Sequence, residues 1–168
     1  MTGYTPGLTT TDGVYIDGQR TVEGDMTGPV SARMVLADPQ IDFAVLETAR
    51  GGLLREGLAF DHCDVAIVTN LGAGDHLGLN YITTLEDLKV LKRVIVLNVA
   101  PTGTAVLNAA DPAVVAMAPH CPGSVTFFAQ DGHHPVIATH MAQGKRVVFV
   151  DHGDIVCVEG GFMKRLPL

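Results

Sequence analysis

Long apolar runs are missing from this 168-residue sequence. None approaches the roughly 20 residues that span a bilayer. The opening Met1-Thr2-Gly3-Tyr4-Thr5-Pro6-Gly7 has neither the basic nor the apolar segment of a secretory signal. Charge is also scarce, at 17% of residues, and its balance of 11 Lys and Arg against 18 Asp and Glu leaves a net −7. That excludes a basic footprint for nucleic acid or an anionic membrane, and favours a small or cationic partner. Cys63, Cys121 and Cys157 are an odd set with no C-x-x-C pair. They are expected to be reduced, mostly buried thiols in a cytoplasmic protein. His133-His134 and the remaining histidines lack metal-ligand spacing and read as surface loop residues.

What is present is apolar and punctuated. Hydrophobic residues make up 47% of the chain, the opposite of a disordered composition, and 19 glycines fall mostly between apolar runs. The length suits one domain with a sizeable core, residues 1–168. Phe43–Leu46, Val65–Val68 and Thr104–Leu107 are apolar on both faces, as buried parallel strands are. Val125–Phe128, Arg146–Val150 and Asp154–Val158 follow, the last two joined as a hairpin by Asp151-His152-Gly153. Val14–Ile16 and Thr21-Val22 flank Asp17-Gly18 as a second hairpin. Helices are predicted over 29–36, 85–97, 111–118 and 135–142, the second capped by Thr84 with Glu86 and Asp87 in its first turn. Alternating strands and helices predict an α/β fold: a mostly parallel sheet flanked by helices, with an antiparallel C-terminal hairpin.

In such sheets ligands bind beyond the carboxyl ends of the strands. Two strands taken as neighbours end in polar and glycine-rich stretches, Glu47-Thr48-Ala49-Arg50-Gly51-Gly52 and Thr69 through Gly78. Glu47, the first charge after four apolar residues, is a candidate Mg²⁺ ligand beside nucleotide phosphates. It could equally cap a loop or pair with Arg50 or Arg55. His76, beside Asp75 in a glycine loop, fits a metal ligand, an acid or base, or a solvated residue. At about 100° per residue Lys92 lies on the apolar stripe of its helix near Leu88. It either snorkels outward, meets an anion or is chemically modified. Asn108 carries both donor and acceptor for a purine edge, whereas Asp111 reads as a helix N-cap ahead of Pro112.

Several stretches resemble one family. These are Thr9 to Gly18, Thr27 to Arg33, Leu46-Glu47-Thr48-Ala49-Arg50-Gly51-Gly52, Val68 to Gly78, and Val106-Leu107-Asn108-Ala109-Ala110-Asp111-Pro112. Together they are similar to the cyanophycin synthetases, in the central domain of their Mur-ligase-like half. The resemblance implies a partial ATP-binding central domain of an ATP-dependent acid–amino-acid ligase. Such a ligase activates a carboxylate as an acyl phosphate and adds arginine to the aspartate side chains of a poly-aspartate-type substrate. It implies ATP and Mg²⁺ as cofactors, with Glu47 and His76 as metal ligands and Lys92 as the lysine that is carbamylated in several Mur ligases. It also implies nucleotide contacts from Asn108, Thr69 and Asn70, and acceptor binding by Thr10, Thr11, Ser31 and Arg50. A homo-oligomer is expected for the full-length parent.

One departure is clear. The family's phosphate loop, G-x-x-G-K-T-T, has no counterpart: no glycine precedes Lys-Thr or Lys-Ser, and Gly144-Lys145 continues into Arg146-Val147. The chain also ends about where the C-terminal domain of the family begins, so the segment alone is expected to fold without catalysing. The alternatives are a non-catalytic module acting by binding or assembly, and another Mur-type ligase such as a folylpolyglutamate synthetase relative.

Overall fold

The computed structural model describes residues 3–71, 78 and 82–168. These fall into two compact units, Met1–Asp61 and His62–Leu168. The first unit contains β1 (Pro6–Thr9), β2 (Gly13–Ile16), β3 (Gln19–Glu23), α1 (Pro29–Ala37), β4 (Phe43–Leu46) and α2 (Arg50–Glu56). Its sheet has the order β3-β2-β1-β4, and only β1 and β4 are parallel. Asp17 at φ 49° and Gly18 at φ 76° turn β2 into β3. That pair of left-handed residues is what a two-residue hairpin requires, so Asp-Gly is legible in the sequence.

α1 starts with Pro at its first turn and buries Pro29, Ser31, Ala32 and Val35. α2 was not expected, because Gly51-Gly52 reads as loop on helix propensity. Packing overrides that preference. A Cβ on Gly52 would stand 2.9 Å from Pro29 Cδ and 3.1 Å from Gly28 Cα. Only glycine lets this helix approach the entry to α1 so closely.

The second unit contains β5 (Cys63–Val68), α3 (Leu85–Leu97), β6 (Val99–Asn108), α4 (Pro112–Val115) and a 3₁₀ turn at Ala118–His120. It continues through β7 (Ser124–Ala129), α5 (Pro135–Ala142), β8 (Val147–Asp151), β9 (Asp154–Glu159) and β10 (Phe162–Pro167). The sheet order is β10-β9-β8-β7-β6-β5. Strands β5 to β8 are parallel, while β8, β9 and β10 form an antiparallel meander. The α/β class and the antiparallel C-terminal hairpin stand as predicted. β10, which the sequence reading missed, extends that hairpin through a turn at Gly160 and Gly161, both at positive φ. Ala105 and Leu107 of β6, Val114 of α4, Ile137 of α5 and Val156 of β9 are among the most deeply buried side chains of this unit.

α3 shows its start as predicted. Thr84 Oγ1 accepts the Asp87 N–H at 3.1 Å, and Asp87 Oδ2 accepts the Thr84 N–H at 2.9 Å, a closed capping box. The helix expected at 111–118 is shorter, ending at Val115 before the 3₁₀ turn.

Three expectations are corrected. First, β4 and β5 are not neighbours in one ladder, because β4 pairs with β1 and β5 with β6. Each is the edge of its own sheet and leaves apolar groups uncovered: Phe43 is 60% exposed, Val65 56% and Ile67 62%. Apolar residues on both faces mark a strand built to be covered, but the sequence does not say by what. Second, not every histidine is on the surface. His140 is buried in α5, its Nε2 is 2.9 Å from the Val125 carbonyl oxygen, and its ring meets Phe127 edge-on at 4.8 Å. Third, the three cysteines are half-buried rather than buried. Burial still pushes the Cys63 thiol up from its usual value, helped by the Asp64 and Cys121 charges.

Two measurements check this account. Gly51→Ala meets only the far end of Arg55, at 3.5 Å, whereas Gly52→Ala meets backbone and a proline ring. Gly51→Ala is therefore expected to stabilise by about 0.5–1 kcal/mol through helix propensity. Gly52→Ala is expected to destabilise by about 1–3 kcal/mol through overpacking. Urea titration separates the two, and equal effects would contradict the packing described.

The second concerns pH. Arg165 Nη2 donates to Asp151 Oδ2 at 2.5 Å, and His152 Nδ1 lies 2.7 Å from Asp151 Oδ1. The Arg165 hydrogen bond holds the Asp151 carboxyl below its usual 3.8, with His152 adding to it. A depressed carboxyl pKa gives a contribution that is complete above pH 3.8 and is lost as pH falls through the lower folded value. The pair is exposed, so the effect is small and salt-sensitive. Amide exchange in β9 and β10 should accelerate in that acid range, and Asp151→Asn should remove the step.

Candidate functional site

In the first unit the candidate groups gather where β1 and β4 end. Thr9 pairs with Leu46 in the parallel register, so Thr10, Thr11 and Glu47 follow from adjacent strand ends. The Glu47 N–H donates to the Thr9 carbonyl at 3.1 Å and the Ala49 N–H to that of Thr27 at 3.0 Å. Glu47 is exposed and lines a shallow recess with Thr27, Gly28 and Thr48. Its carboxylate forms no salt bridge among the described residues, so the pairing with Arg55 does not occur. An exposed, unpaired carboxylate at a strand end fits an oxygen ligand for a hard divalent cation. Among the described residues no three metal-capable side chains cluster.

The threonines and serine divide by what their hydroxyls already do. The Thr10 hydroxyl donates to Asp12 Oδ1, and the Tyr15 hydroxyl donates to Asp12 Oδ2 at 2.5 Å. The Thr10 bond, and then that of Tyr15, hold the Asp12 carboxyl below its usual range, while the bond to Asp12 pushes the Tyr15 phenol up. Thr11 is exposed. Ser31 is buried, with Oγ 2.6 Å from the Met26 carbonyl oxygen and 2.8 Å from that of Gly28. Its hydroxyl thus ties the loop that enters α1. Arg50 opens α2 immediately after the Glu47 loop. Beneath them the Thr9 hydroxyl is buried and finds no partner among the described residues.

The second unit holds the other group. Thr69 and Asn70 leave the carboxyl end of β5 and are exposed. Asn108 ends β6, and its Nδ2 donates to the Thr69 carbonyl at 2.7 Å while its Oδ1 accepts the Ala110 N–H at 2.8 Å. One amide N–H and one oxygen lone pair remain for a ligand. Asp111 caps α4 as expected, with Oδ1 accepting the Ala113 N–H at 2.9 Å and the Val114 N–H at 3.4 Å. Its Oδ2 does something the sequence reading missed: it accepts the Leu71 N–H at 2.8 Å across 40 positions. No local pattern signals that bond, because Asp is an ordinary cap residue.

Lys92 sits one turn from Leu88 and one turn from Val96, which are 2% and 0% exposed. It is half-buried on the innermost line of α3, where the periodicity put it. Lys89 pairs with Glu86 at 2.6 Å, whereas Lys92 has no ion-pair partner among the described residues. His76 and Asp75 lie outside the described residues.

Residues 4–162 match the Mur ligase middle domain model. The chain belongs to that family. It is 46% identical over 166 residues to the cyanophycin synthetase of Synechocystis sp., and 47% identical to that of Crocosphaera subtropica. Each match covers 99% of this chain and 19% of the relative, so the chain spans about a fifth of the length of the curated relatives it matches. Among solved structures it resembles MurF from Acinetobacter baumannii, with a TM-score of 0.55 at 16% identity. That likeness covers 99% of this chain and 33% of MurF, and it concerns the fold alone. No described helix is long and apolar enough to cross a membrane.

Ser31 gives a test of the local architecture. Ser31→Ala leaves the Met26 and Gly28 carbonyls without their hydroxyl donor and is expected to cost about 1–2 kcal/mol in urea denaturation. A change below a few tenths would show that the hydroxyl is not what orders the α1 entry.

Proposed function

We propose that this chain is the central, nucleotide-facing segment of an ATP-dependent amide ligase of the cyanophycin type. The reaction would join arginine to an aspartate side-chain carboxylate in a poly-aspartate-type acceptor. The observation that carries the reading is identity of 46% and 47% to cyanophycin synthetases along essentially the whole chain. The unpaired carboxylate of Glu47 at a strand end agrees with it.

Each residue has a distinct task in this reading. Glu47 holds Mg²⁺ through its carboxylate, and His76 is the second metal ligand. Thr69 and Asn70 present exposed polar groups toward phosphate oxygens or the acceptor carboxylate. Asn108 uses its remaining N–H and lone pair on the adenine edge. Thr10, Thr11 and Arg50 hold the acceptor, and Ser31 shapes the loop beside them. Lys92 supplies a half-buried amine whose carbamylation would convert an awkward cation into an anion able to support a second metal. ATP bound with Mg²⁺ would supply the phosphoryl group that activates the carboxylate, leaving as ADP, and the incoming amine would then displace phosphate and lose a proton. The phosphate-loop glycines and lysine are absent from this sequence, so the segment alone is proposed not to turn over. The protein is proposed to be cytoplasmic, with a homo-oligomeric parent.

A second reading, a non-catalytic module acting through assembly, is favoured by the uncovered apolar edges at β4 and β5, since unpaired edges recruit strands.

Calorimetric titration with Mg²⁺ and a non-hydrolysable ATP analogue tests the first reading. Micromolar binding that Glu47→Ala weakens at least tenfold is the expected result. Turnover assays on the longer polypeptide then compare poly-aspartate with arginine against folate with glutamate. Arginine-dependent ADP release is expected only with the former. The folate result would move the chain to another Mur-type ligase, and no nucleotide-dependent turnover with either would favour the assembly reading.

A further inference from the structure

The bond from Leu71 to Asp111 is not needed for helix capping. One side-chain oxygen suffices at an N-cap, which is why Ser, Thr, Asn and Asp are all used there. Asp111 spends Oδ1 on the Ala113 and Val114 N–H groups, and Oδ2 reaches back to the loop after β5. Asn108 reaches the same loop from the end of β6, taking the Thr69 carbonyl at 2.7 Å. A three-residue segment is thus fixed at the carbonyl of its first residue and the N–H of its third. The Leu71 side chain, 3% exposed, anchors it further. Between these ties Thr69 and Asn70 remain exposed, with side chains that make no hydrogen bond among the described residues.

We propose that Asp111 and Asn108 are positioning residues that preset the Thr69–Leu71 backbone, so that the Thr69 hydroxyl and Asn70 amide stand ready for an oxyanionic ligand. Ordering a residue costs about 1–2 kcal/mol in backbone entropy. A loop tied before the ligand arrives has already met that cost, which is the basis of preorganisation. The tie itself stands on this structure. The identity of the oxyanion as a nucleotide phosphate rests on the ligase reading above.

The experiment compares the protein with Asp111→Ser and Asn108→Ser. Serine at position 111 retains an oxygen for the α4 cap but is too short to supply the second oxygen to Leu71. Amide hydrogen exchange resolved by residue should show Leu71 exchanging about tenfold faster in Asp111→Ser, the loss of one hydrogen bond. The fold should stay intact, with the β6 core amides still the slowest to exchange and the thermal midpoint lowered by only a few degrees. Asn108→Ser should loosen the same segment. Unchanged Leu71 exchange would overturn the proposal, and so would acceleration of the β6 core amides greater than that of Leu71, because that is a purely structural loss.

The second readout is titration with Mg²⁺ and a non-hydrolysable ATP analogue. Affinity about tenfold weaker in Asp111→Ser, with folding intact, is expected, and equal affinity would refute the positioning role. If the parent binds no nucleotide, the nucleotide reading fails, and the exchange data decide the clamp by themselves.

Discussion

The parallel register of β5 against β6 is the constraint on which the second unit depends. Val68 lies opposite Leu107, so the two strands run out of ladder together, and their next residues, Thr69 and Asn108, emerge at the same level. Strand-end geometry therefore brings side chains about 40 positions apart into hydrogen-bonding reach. A slip of one residue would turn the buried Ala66, Val68, Ala105 and Leu107 to the other face, and the core would not permit it. Hydrophobic burial thus fixes the position of the polar groups at the strand ends.

The first unit uses the same logic with fewer strands. β1 and β4 end together at Thr9 and Leu46, and this puts Glu47 beside the Thr10-Thr11 turn. Close packing of Gly52 on Gly28 and Pro29 then holds the Glu47 loop and the α1 entry together, with Ser31 bonded into the same turn. Both polar groups lie at the carboxyl ends of parallel strands, where unpaired backbone and uncrowded side chains leave room for a ligand. Each also belongs to a sheet that ends in an uncovered apolar edge strand. The cyanophycin synthetases that the chain matches are about five times its length.

Polar residues proved harder to read than apolar ones. Lys92 was legible, because helical periodicity alone puts it in line with Leu88 and Val96. The Asp111 cap was legible from the Asp-Pro pair, but its second bond depends on where a loop 40 residues away comes to lie. Asn108 shows the same limit from the other side. Its chemistry suits a purine edge, yet part of its amide is already engaged by Thr69 and Ala110. The buried His140 was missed because its partner, the Val125 carbonyl, comes from a neighbouring strand rather than from the local sequence.

Local chemistry by itself determined the strands of the parallel ladder, the turns at Asp17-Gly18 and His152-Gly153 and the α3 capping box. Those features depend on periodicity, backbone φ and residues three or four apart, all of which are written along the chain. Tertiary structure alone decided that β4 and β5 stand at the edges of two sheets, that Gly51-Gly52 lies in a helix, and that Asp111 and Asn108 grip the loop after β5. These depend on strand order, on close approach of backbones and on register between distant segments, and no short stretch of sequence carries that information.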